Sequence, residues 1–389
     1  MLPQLYNKTA VTSALTEFDI PALENHLTDR GFRSGHAGRL LKALYRGNGS
    51  IDLPSLSLGK QLIARLDEEL PIRASRVLTK HVSSDATTKL LVGFADGNAV
   101  ETVLMPSHRD GIAAGCVSSQ VGCAMGCDFC ASTRGGLVRN LTAGEIVEQF
   151  LHLRAAAASV GRRVKTLVFM GMGEPLANFD NVVAAIERIS EPRLGALGRR
   201  NITVSTVGLV PGIERLADAD LNVHLALSLH APDDETRGKL VPPNRRYPVA
   251  EVMAATRRFL ERTARVPNIE YCLLAGINDS DAQAELLAKL MHGFRAHVNL
   301  IPYNAIGSGV SGIVYARPAE DRMRRFIEIL RNRGVVAHFR ATRGDDVSAA
   351  CGQLRGERVI LTHARLTKDD VRVPEDNFPG SADVVPTTT

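Results

Sequence analysis

The chain has 389 residues, a length that suits a catalytic core with one accessory module. Apolar residues make up 44% and charged residues 23%, a globular composition, and no apolar run is long enough to cross a bilayer. The 47 basic and 42 acidic residues leave a net charge of +5, which permits a polyanionic partner without requiring one. Residues 1–16 lack the features of an export signal. We therefore expect a soluble, cytoplasmic, monomeric protein.

Residues 1–85 are predicted to form a small helical accessory domain that could bind RNA. Apolar residues recur there at helical intervals, as at Leu23 and Leu27 and again at Leu40 and Leu44, and glycines separate the helical stretches.

Residues 86–110 are predicted to form a β-hairpin that leads into the core. Two β-rich runs, Lys89 to Phe94 and Ala99 to Met105, flank Asp96-Gly97, a dipeptide that favours a tight turn.

Beyond the hairpin, β-rich runs alternate with helical patterns, which is typical of a parallel sheet covered by helices. The predicted strands are 166–170, 202–207, 223–229, 269–274, 298–302 and 335–341. The predicted helices are 143–158, 179–190, 211–218, 249–264, 280–294 and 318–333. Because six βα units fall short of a complete barrel, the sequence predicts an α/β fold, a partial (β/α)6 barrel over residues 111–366. The polar tail, 367–389, is predicted to be disordered.

Four of the six cysteines lie between residues 116 and 130, which in a reducing compartment indicates metal binding or thiol chemistry. Within this group Cys123, Cys127 and Cys130 have the spacing C-x-x-x-C-x-x-C on one loop. Three thiolates can hold a [4Fe-4S] cluster and leave one iron open, since such clusters normally take four cysteines. The open iron can chelate S-adenosylmethionine and pass an electron to its sulfonium, which releases a 5'-deoxyadenosyl radical.

A zinc site is the main alternative for these cysteines, and it would make the chain an RNA-binding protein without catalysis. Zinc usually takes four ligands, commonly as two separated pairs, and the sequence has no second C-x-x-C pair. Thr142 and Glu145 have the spacing of a capping box, which predicts a helix start after the cysteine loop.

Polar residues at the ends of the predicted strands form a candidate cofactor site, because barrel enzymes place their sites at that edge. Gly173 and Glu174 follow the strand 166–170 and are candidates for holding the amino group of the cofactor. Any one of these residues could instead be an ordinary capping residue. Cys272 is interpreted as a buried apolar filler. The remaining cofactor-binding candidates are Ser205, Ser228, Leu229, His230 and Asn304.

Four stretches of the sequence match a known family, namely Cys116-Val-Ser-Ser-Gln-Val-Gly-Cys123, Met170-Gly-Met-Gly-Glu-Pro175, Ser228-Leu-His-Ala-Pro232 and Ala349-Ala-Cys351-Gly-Gln-Leu354. Through them the sequence resembles the RlmN and Cfr family of radical S-adenosylmethionine RNA adenine methyltransferases, and most of all the RlmN group, up to about Leu361. A second cysteine pair, Cys116 and Cys351, is the most specific part of the resemblance.

The resemblance implies that Cys351 accepts a methyl group from one cofactor molecule. The radical from a second cofactor molecule would then take hydrogen from the S-methyl group, and the methylene radical would add to adenine. Cys116 would help to remove the ring proton and close a disulfide with Cys351, and Glu101 is a further candidate for the base.

The implied product is an adenosine methylated at carbon 2 in 23S ribosomal RNA and also in tRNA. The implied partners are these RNAs and an electron donor such as flavodoxin or ferredoxin. Two alternatives remain open: methylation of carbon 8 of the same ribosomal adenosine, and a radical enzyme that acts on a substrate other than RNA.

Overall fold

The computed structural model describes residues 14–355 of the chain and, for residues 67–69, the backbone alone. The described chain begins with three helices, α1 (Ile20–Thr28), α2 (His36–Arg46) and α3 (Lys60–Glu69). Helix α1 begins where the Asp19 side chain accepts a hydrogen bond from the backbone nitrogen of Ala22 at 2.7 Å. The predicted helical leucines are all buried: Leu23, Leu27, Leu40 and Leu44.

A strand follows where the sequence analysis predicted helix. Strand β1 (Ser75–Val82) pairs antiparallel with β2 (Thr88–Phe94), which pairs antiparallel with β3 (Ala99–Pro106) across the turn at Asp96-Gly97. The hairpin prediction is therefore confirmed, whereas the helical prediction is wrong for residues 75–82. Strand β1 lies at one end of the sheet and is mostly exposed, so its sequence lacks the apolar alternation that would predict a strand. Its conformation depends instead on pairing with β2.

A small ribbon encloses the cysteine loop. Strand β4 (Ile112–Cys116) pairs antiparallel with β3, and two short strands then follow, β5 (Gln120–Gly122) and β6 (Leu137–Asn140), which pair with each other. A Cβ on Gly122 would lie 2.0 Å from the carbonyl oxygen of Gly136, so only glycine fits there. The ribbon, which the sequence did not predict, closes residues 123–136 into one loop.

Helices and strands alternate through the rest of the described chain. The helices are α4 (Ala143–Ala158), α5 (Phe179–Ser190), α6 (Val210–Asp218), α7 (Asp234–Leu240), α8 (Val249–Thr263), α9 (Asp281–Met291) and α10 (Glu320–Asn332). The strands are β7 (Arg163–Phe169), β8 (Ile202–Thr206), β9 (His224–Ser228), β10 (Asn268–Leu273), β11 (His297–Pro302) and β12 (Ala337–Phe339). Short 3-10 helices span Leu15–Glu17, Pro54–Leu56, Ala131–Thr133, Pro175–Asn178, Arg199–Asn201, Pro242–Arg245 and Asp345–Val347.

The central sheet is an open barrel. Its order is β1-β2-β3-β4-β7-β8-β9-β10-β11-β12, and the strands from β4 to β12 in this order run parallel. Strands β1 and β12 lie at opposite ends of the order, so the sheet does not close. The α/β fold class and the partial (β/α)6 barrel are confirmed. Helix α7 was missed because it is short and polar.

One hydrophobic cluster joins the N-terminal helices to the barrel, since it contains Leu44 of α2, Phe150 of α4 and Leu167 of β7. The division into an accessory domain, a hairpin linker and a barrel stays a prediction. The predicted tail and residues 356–366 of the predicted barrel lie outside the described residues. Between residues 14 and 355, no helix combines the length and apolar character needed to span a membrane.

Candidate active site

A cavity opens where the parallel strands end. It encloses about 960 Å³, counting the solvent at its mouth. Four predicted site residues, Glu101, Cys116, Leu229 and Asn304, do not line this cavity within the described chain. The predicted site residues that line it are Cys123, Cys127, Cys130, Gly173, Glu174, Ser205, Ser228, His230 and Cys351.

The three thiols of the cysteine loop face this one cavity. Burial raises the pKa of Cys123 to about 12 and also raises the pKa of Cys127 and Cys130, so the bare thiols keep their protons. Bound iron would hold them as thiolates. Within residues 14–355, no three His, Cys, Asp or Glu side chains are arranged to hold a single metal ion. Three thiols along one cavity wall do fit a [4Fe-4S] cluster, which distributes its ligands over separate irons.

The loop after β7 is fixed against the segment that follows β4. The Met172 nitrogen donates to Ser118 Oγ at 2.9 Å, and the Glu174 nitrogen donates to Gln120 Oε1 at 2.8 Å. Gly173 has a φ of +98°, and a Cβ there would lie 2.5 Å from the Cβ of Gln120. The backbone at Gly173 and Glu174 is therefore held rigidly in the cavity wall.

Glu174 links the ends of two strands. Its carboxylate accepts hydrogen bonds from the backbone nitrogens of Leu176 at 3.1 Å and Val207 at 2.9 Å. Burial raises the pKa of Glu174 to about 7. A bound ammonium group would favour its charged form, because opposite charges stabilise each other where water is excluded. These features fit the predicted role of holding the amino group of the cofactor.

The polar residues at the ends of β8 and β9 come together. Ser205 Oγ lies 3.3 Å from Ser228 Oγ, and His230 Nδ1 accepts a hydrogen bond from the Cys272 nitrogen at 3.0 Å. The neutral imidazole therefore carries its proton on Nε2. Burial lowers the pKa of His230 to about 3, so the ring is neutral at physiological pH. Leu229 differs from these residues because its side chain is buried in a hydrophobic cluster.

Cys351 is positioned by contacts with the cysteine loop. The carbonyl oxygen of Gly352 accepts a hydrogen bond from the Ala131 nitrogen at 2.7 Å. Asn304 Nδ2 donates to the carbonyl oxygen of Cys351 at 3.3 Å. Cys351 itself is exposed. The turn that carries this thiol is thus attached directly to the loop that carries the three cysteines.

Cys116 is buried at the end of β4. The Met170 backbone nitrogen donates a hydrogen bond to its thiol, and burial raises the pKa of Cys116 to about 12. The predicted disulfide between Cys116 and Cys351 is not supported, because both residues are free thiols. Their charges nevertheless interact, as a thiolate at Cys351 also contributes to raising the pKa of Cys116.

Glu101 lies on β3, outside the cavity wall. Its carboxylate forms an ion pair with Lys89 at 2.8 Å and accepts a hydrogen bond from the Arg355 nitrogen at 2.7 Å. In this arrangement it anchors the chain just after the Cys351 turn.

Two arginines near the site were missed by the sequence analysis. Arg340 follows β12, lines the cavity and lies 3.4 Å from Glu270 Oε2 and 3.2 Å from Met170 Sδ. The rule that found Ser205, a polar residue at a strand end, would also have found Arg340. Arg237 lies in α7 and is fully buried, a position that no local pattern indicates. Cys272 is buried as predicted, but it also lines the cavity, so apolar filler is an incomplete description.

Comparisons with known proteins agree with this site. A model of the radical SAM superfamily matches residues 117–288. A curated relative from Opitutus terrae, described as a probable dual-specificity RNA methyltransferase RlmN 1, is 49% identical over 349 residues, which cover 90% of this chain and 98% of the relative. The chain belongs to the RlmN family of radical SAM RNA methyltransferases.

Further relatives in this family agree. A probable dual-specificity RNA methyltransferase RlmN from Bacillus subtilis is 39% identical and covers 90% of this chain and 97% of its own length. A crystal structure of a radical SAM methyltransferase from Sphaerobacter thermophilus has a TM-score of 0.84 and 43% identity, over 88% of this chain and 99% of that one. The family and the enzyme class predicted from the sequence are confirmed.

Proposed function

We propose that this enzyme methylates carbon 2 of an adenosine in 23S ribosomal RNA and in tRNA, with Cys351 as the methyl carrier. The observation that carries the proposal is the attachment of the Cys351 turn to the cysteine loop, which brings Cys351 to the same cavity as Cys123, Cys127 and Cys130. The dual-specificity description of the relatives supports two classes of RNA substrate.

The three loop cysteines would hold one [4Fe-4S] cluster. When bound, the cluster supplies the electron that cleaves S-adenosylmethionine. Glu174 and the Gly173 backbone would receive the amino group of S-adenosylmethionine, and its remaining polar groups would contact residues at the ends of β8, β9 and β11. Those residues are Ser205, Ser228 and His230, which line the cavity, and the predicted contacts Leu229 and Asn304, which do not line it within the described chain.

The sulfur of Cys351 would form a bond to the methyl carbon while the sulfonium carbon–sulfur bond breaks. Cys116 would help to remove the ring proton of the target adenosine, and because burial keeps its thiol protonated, it would have to pass on its own proton first. Glu101 stays a second candidate for this base, although its carboxylate is engaged by Lys89 and by the Arg355 nitrogen. We expect a soluble, monomeric, cytoplasmic enzyme that is reduced by a flavodoxin or ferredoxin.

The chemical identity of the product tests the proposal most directly. Ribosomal RNA and tRNA from a deletion strain, before and after complementation, should differ in 2-methyladenosine by mass spectrometry. A gain of 8-methyladenosine instead would place the reaction on the other carbon. Anaerobically purified protein should contain roughly four irons and four sulfides per chain. One zinc and no iron would contradict the enzyme assignment.

Cysteine variants separate the roles of the thiols. Cys351→Ala removes the methyl carrier, so no RNA product and no protein–RNA adduct should form. Cys116→Ala should instead accumulate an adduct that is visible as a shifted band of labelled RNA on a denaturing gel. Cys272→Ala is the matched control, because Cys272 lines the same cavity without an assigned role. An adduct formed without Cys351 would rule out the methyl-carrier role.

A further inference from the structure

Arg237 carries a positive charge in the protein core, and the atoms that accept its hydrogen bonds are neutral. Its Nε donates to the carbonyl oxygen of Leu229 at 3.0 Å and its Nη1 to Asn244 Oδ1 at 2.8 Å, while Nη2 donates to the carbonyl oxygens of Val207 and Ser228. The residue is fully buried, and no ion pair within residues 14–355 includes it. Burial lowers the pKa of Arg237 to about 10, which still leaves the guanidinium charged at neutral pH.

A buried charge of this kind requires compensation, because removing an ion from water is strongly unfavourable unless an opposite charge lies nearby. Asp234 compensates the charge of Arg237 only indirectly, through the side chain of Asn244. The amide of Asn244 that accepts from Arg237 donates in turn to Asp234 Oδ1 at 3.0 Å, and the same oxygen also accepts from the Val249 nitrogen at 2.7 Å. Asp234 is therefore shared among several donors.

The end of helix α7, about one turn beyond Arg237, contacts the cysteine loop. The carbonyl oxygen of Leu240, at the end of this helix, accepts a hydrogen bond from the Asp128 nitrogen at 3.0 Å. Leu240 packs in one hydrophobic cluster with Cys127 and Phe129. The carbonyl oxygens of Val207 and Ser228, which accept from Arg237 Nη2, belong to residues that line the same cavity as Cys127.

We propose that Arg237 is the counter-charge of the iron–sulfur cluster and that it raises the reduction potential of the cluster. The inference rests on the proposed function, which puts the cluster on Cys123, Cys127 and Cys130. The oxidised cluster with three thiolates carries a net negative charge, and the electron from the external flavodoxin or ferredoxin adds another. A fixed positive charge behind the wall of the cavity that the three cysteines line favours the reduced form, since net charge and solvent exposure help to set cluster potentials. Arg237 does not line the cavity, so its proposed effect on the cluster is electrostatic.

Two substitutions separate charge from hydrogen bonding. Arg237→Gln keeps donor groups and removes the charge, whereas Arg237→Lys keeps the charge and loses the forked geometry. The measurement is a redox titration of the reconstituted cluster, followed by electron paramagnetic resonance without S-adenosylmethionine. Arg237→Gln should weaken the equilibrium for one-electron reduction at least tenfold, a shift of about 59 mV to more negative potential. For Arg237→Lys, the equilibrium constant for one-electron reduction should stay within about threefold of the wild-type value. This corresponds to a change in potential of less than half of about 59 mV.

Arg73→Gln is the control, because Arg73 is a half-buried arginine that contacts His152 rather than the residues around the cavity. The reduction potential of the cluster in Arg73→Gln should equal that in the wild type. An Arg237→Gln protein that holds its cluster at an unchanged potential overturns the proposal. If wild-type protein binds no cluster, the proposed function itself fails, so the two failures are distinguishable.

Loss of the cluster from Arg237→Gln is also informative. The metal-free variant should then still unfold cooperatively in urea, because removing the uncompensated charge offsets part of the cost of the carbonyl oxygens that lose their donor. A metal-free variant that no longer folds would assign Arg237 a purely structural role and overturn the proposal.

Discussion

Gly173→Ala should lower the free energy of unfolding by roughly 2–6 kcal/mol, the sum of two separate costs. Gly173 has a φ of +98°, a conformation that L side chains rarely adopt, which costs on the order of 1–3 kcal/mol. The new Cβ would also lie 2.5 Å from the Cβ of Gln120 and 2.8 Å from its backbone nitrogen. Rotating a side chain cannot relieve this overlap, and overpacking adds about 1–3 kcal/mol.

The control for this prediction is Gly276→Ala. Gly276 also has a positive φ, +68°, but no heavy atom lies within 4 Å of the position of its Cβ. This substitution should therefore cost only the left-handed backbone conformation, about 1–2 kcal/mol. Urea unfolding of the metal-free proteins, followed by circular dichroism, measures both losses. Equal losses would show that the loop at Gly173 moves away from Gln120 without cost, and the overlap argument would be wrong.

The Gly173→Ala substitution should also affect the predicted cofactor site. Displacing Gly173 would break the hydrogen bond of 2.8 Å from the Glu174 nitrogen to Gln120 Oε1. Glu174 would then lose the fixed position that fits it to an ammonium group. Binding of S-adenosylmethionine should weaken in Gly173→Ala and stay unchanged in Gly276→Ala.

Two further substitutions test the buried carboxylate of Glu148 and the carboxylate of Asp128, which accepts hydrogen bonds from two other residues. Burial raises the pKa of Glu148 from 4.5 to about 7, so the stability that Glu148 contributes is complete below pH 4.5 and is lost as the pH rises through 7. Urea unfolding measures the difference in free energy of unfolding between Glu148→Gln and wild type. This difference should shift in favour of the variant by on the order of 3 kcal/mol between pH 4.5 and about pH 8. A difference that does not change with pH would contradict this prediction. Asp128 accepts hydrogen bonds from the Ser311 nitrogen at 2.6 Å and from the Tyr315 hydroxyl at 2.5 Å. Asp128→Asn should weaken both, so hydrogen exchange at the Ser311 amide should become faster, and unchanged protection there would refute the role of this contact.

Features that depend on neighbours in the sequence were predictable. The spacing of Cys123, Cys127 and Cys130 indicates a cluster loop because the three thiols share one short segment. Asp96-Gly97 predicts the hairpin for a similar reason, since the turn needs a residue that tolerates positive φ. Gly173 and Ser205 were found because a parallel sheet places the ends of its strands at one edge.

The resemblance to a known family, rather than any residue pattern, singled out Cys351 and Cys116. Cys351 lies far along the chain from the cysteine loop, and only folding forms the hydrogen bond between Ala131 and Gly352 that attaches its turn. The expected disulfide between the two thiols is not present. Pairing of distant cysteines depends on three-dimensional geometry, which sequence spacing does not contain.

The sequence by itself determined the α/β class, the six βα units and the cysteine loop, because apolar periodicity and short motifs are local properties of the chain. The tertiary structure decided that Ser75–Val82 is a strand, since an exposed edge strand takes its conformation from its partner. It also decided that Arg237 is buried behind the wall of the cavity that the cysteine loop lines. In the sequence this residue is one more charge on a short polar helix, and its burial follows only from the ends of β8 and β9, whose backbone carbonyls accept its hydrogen bonds in the folded protein.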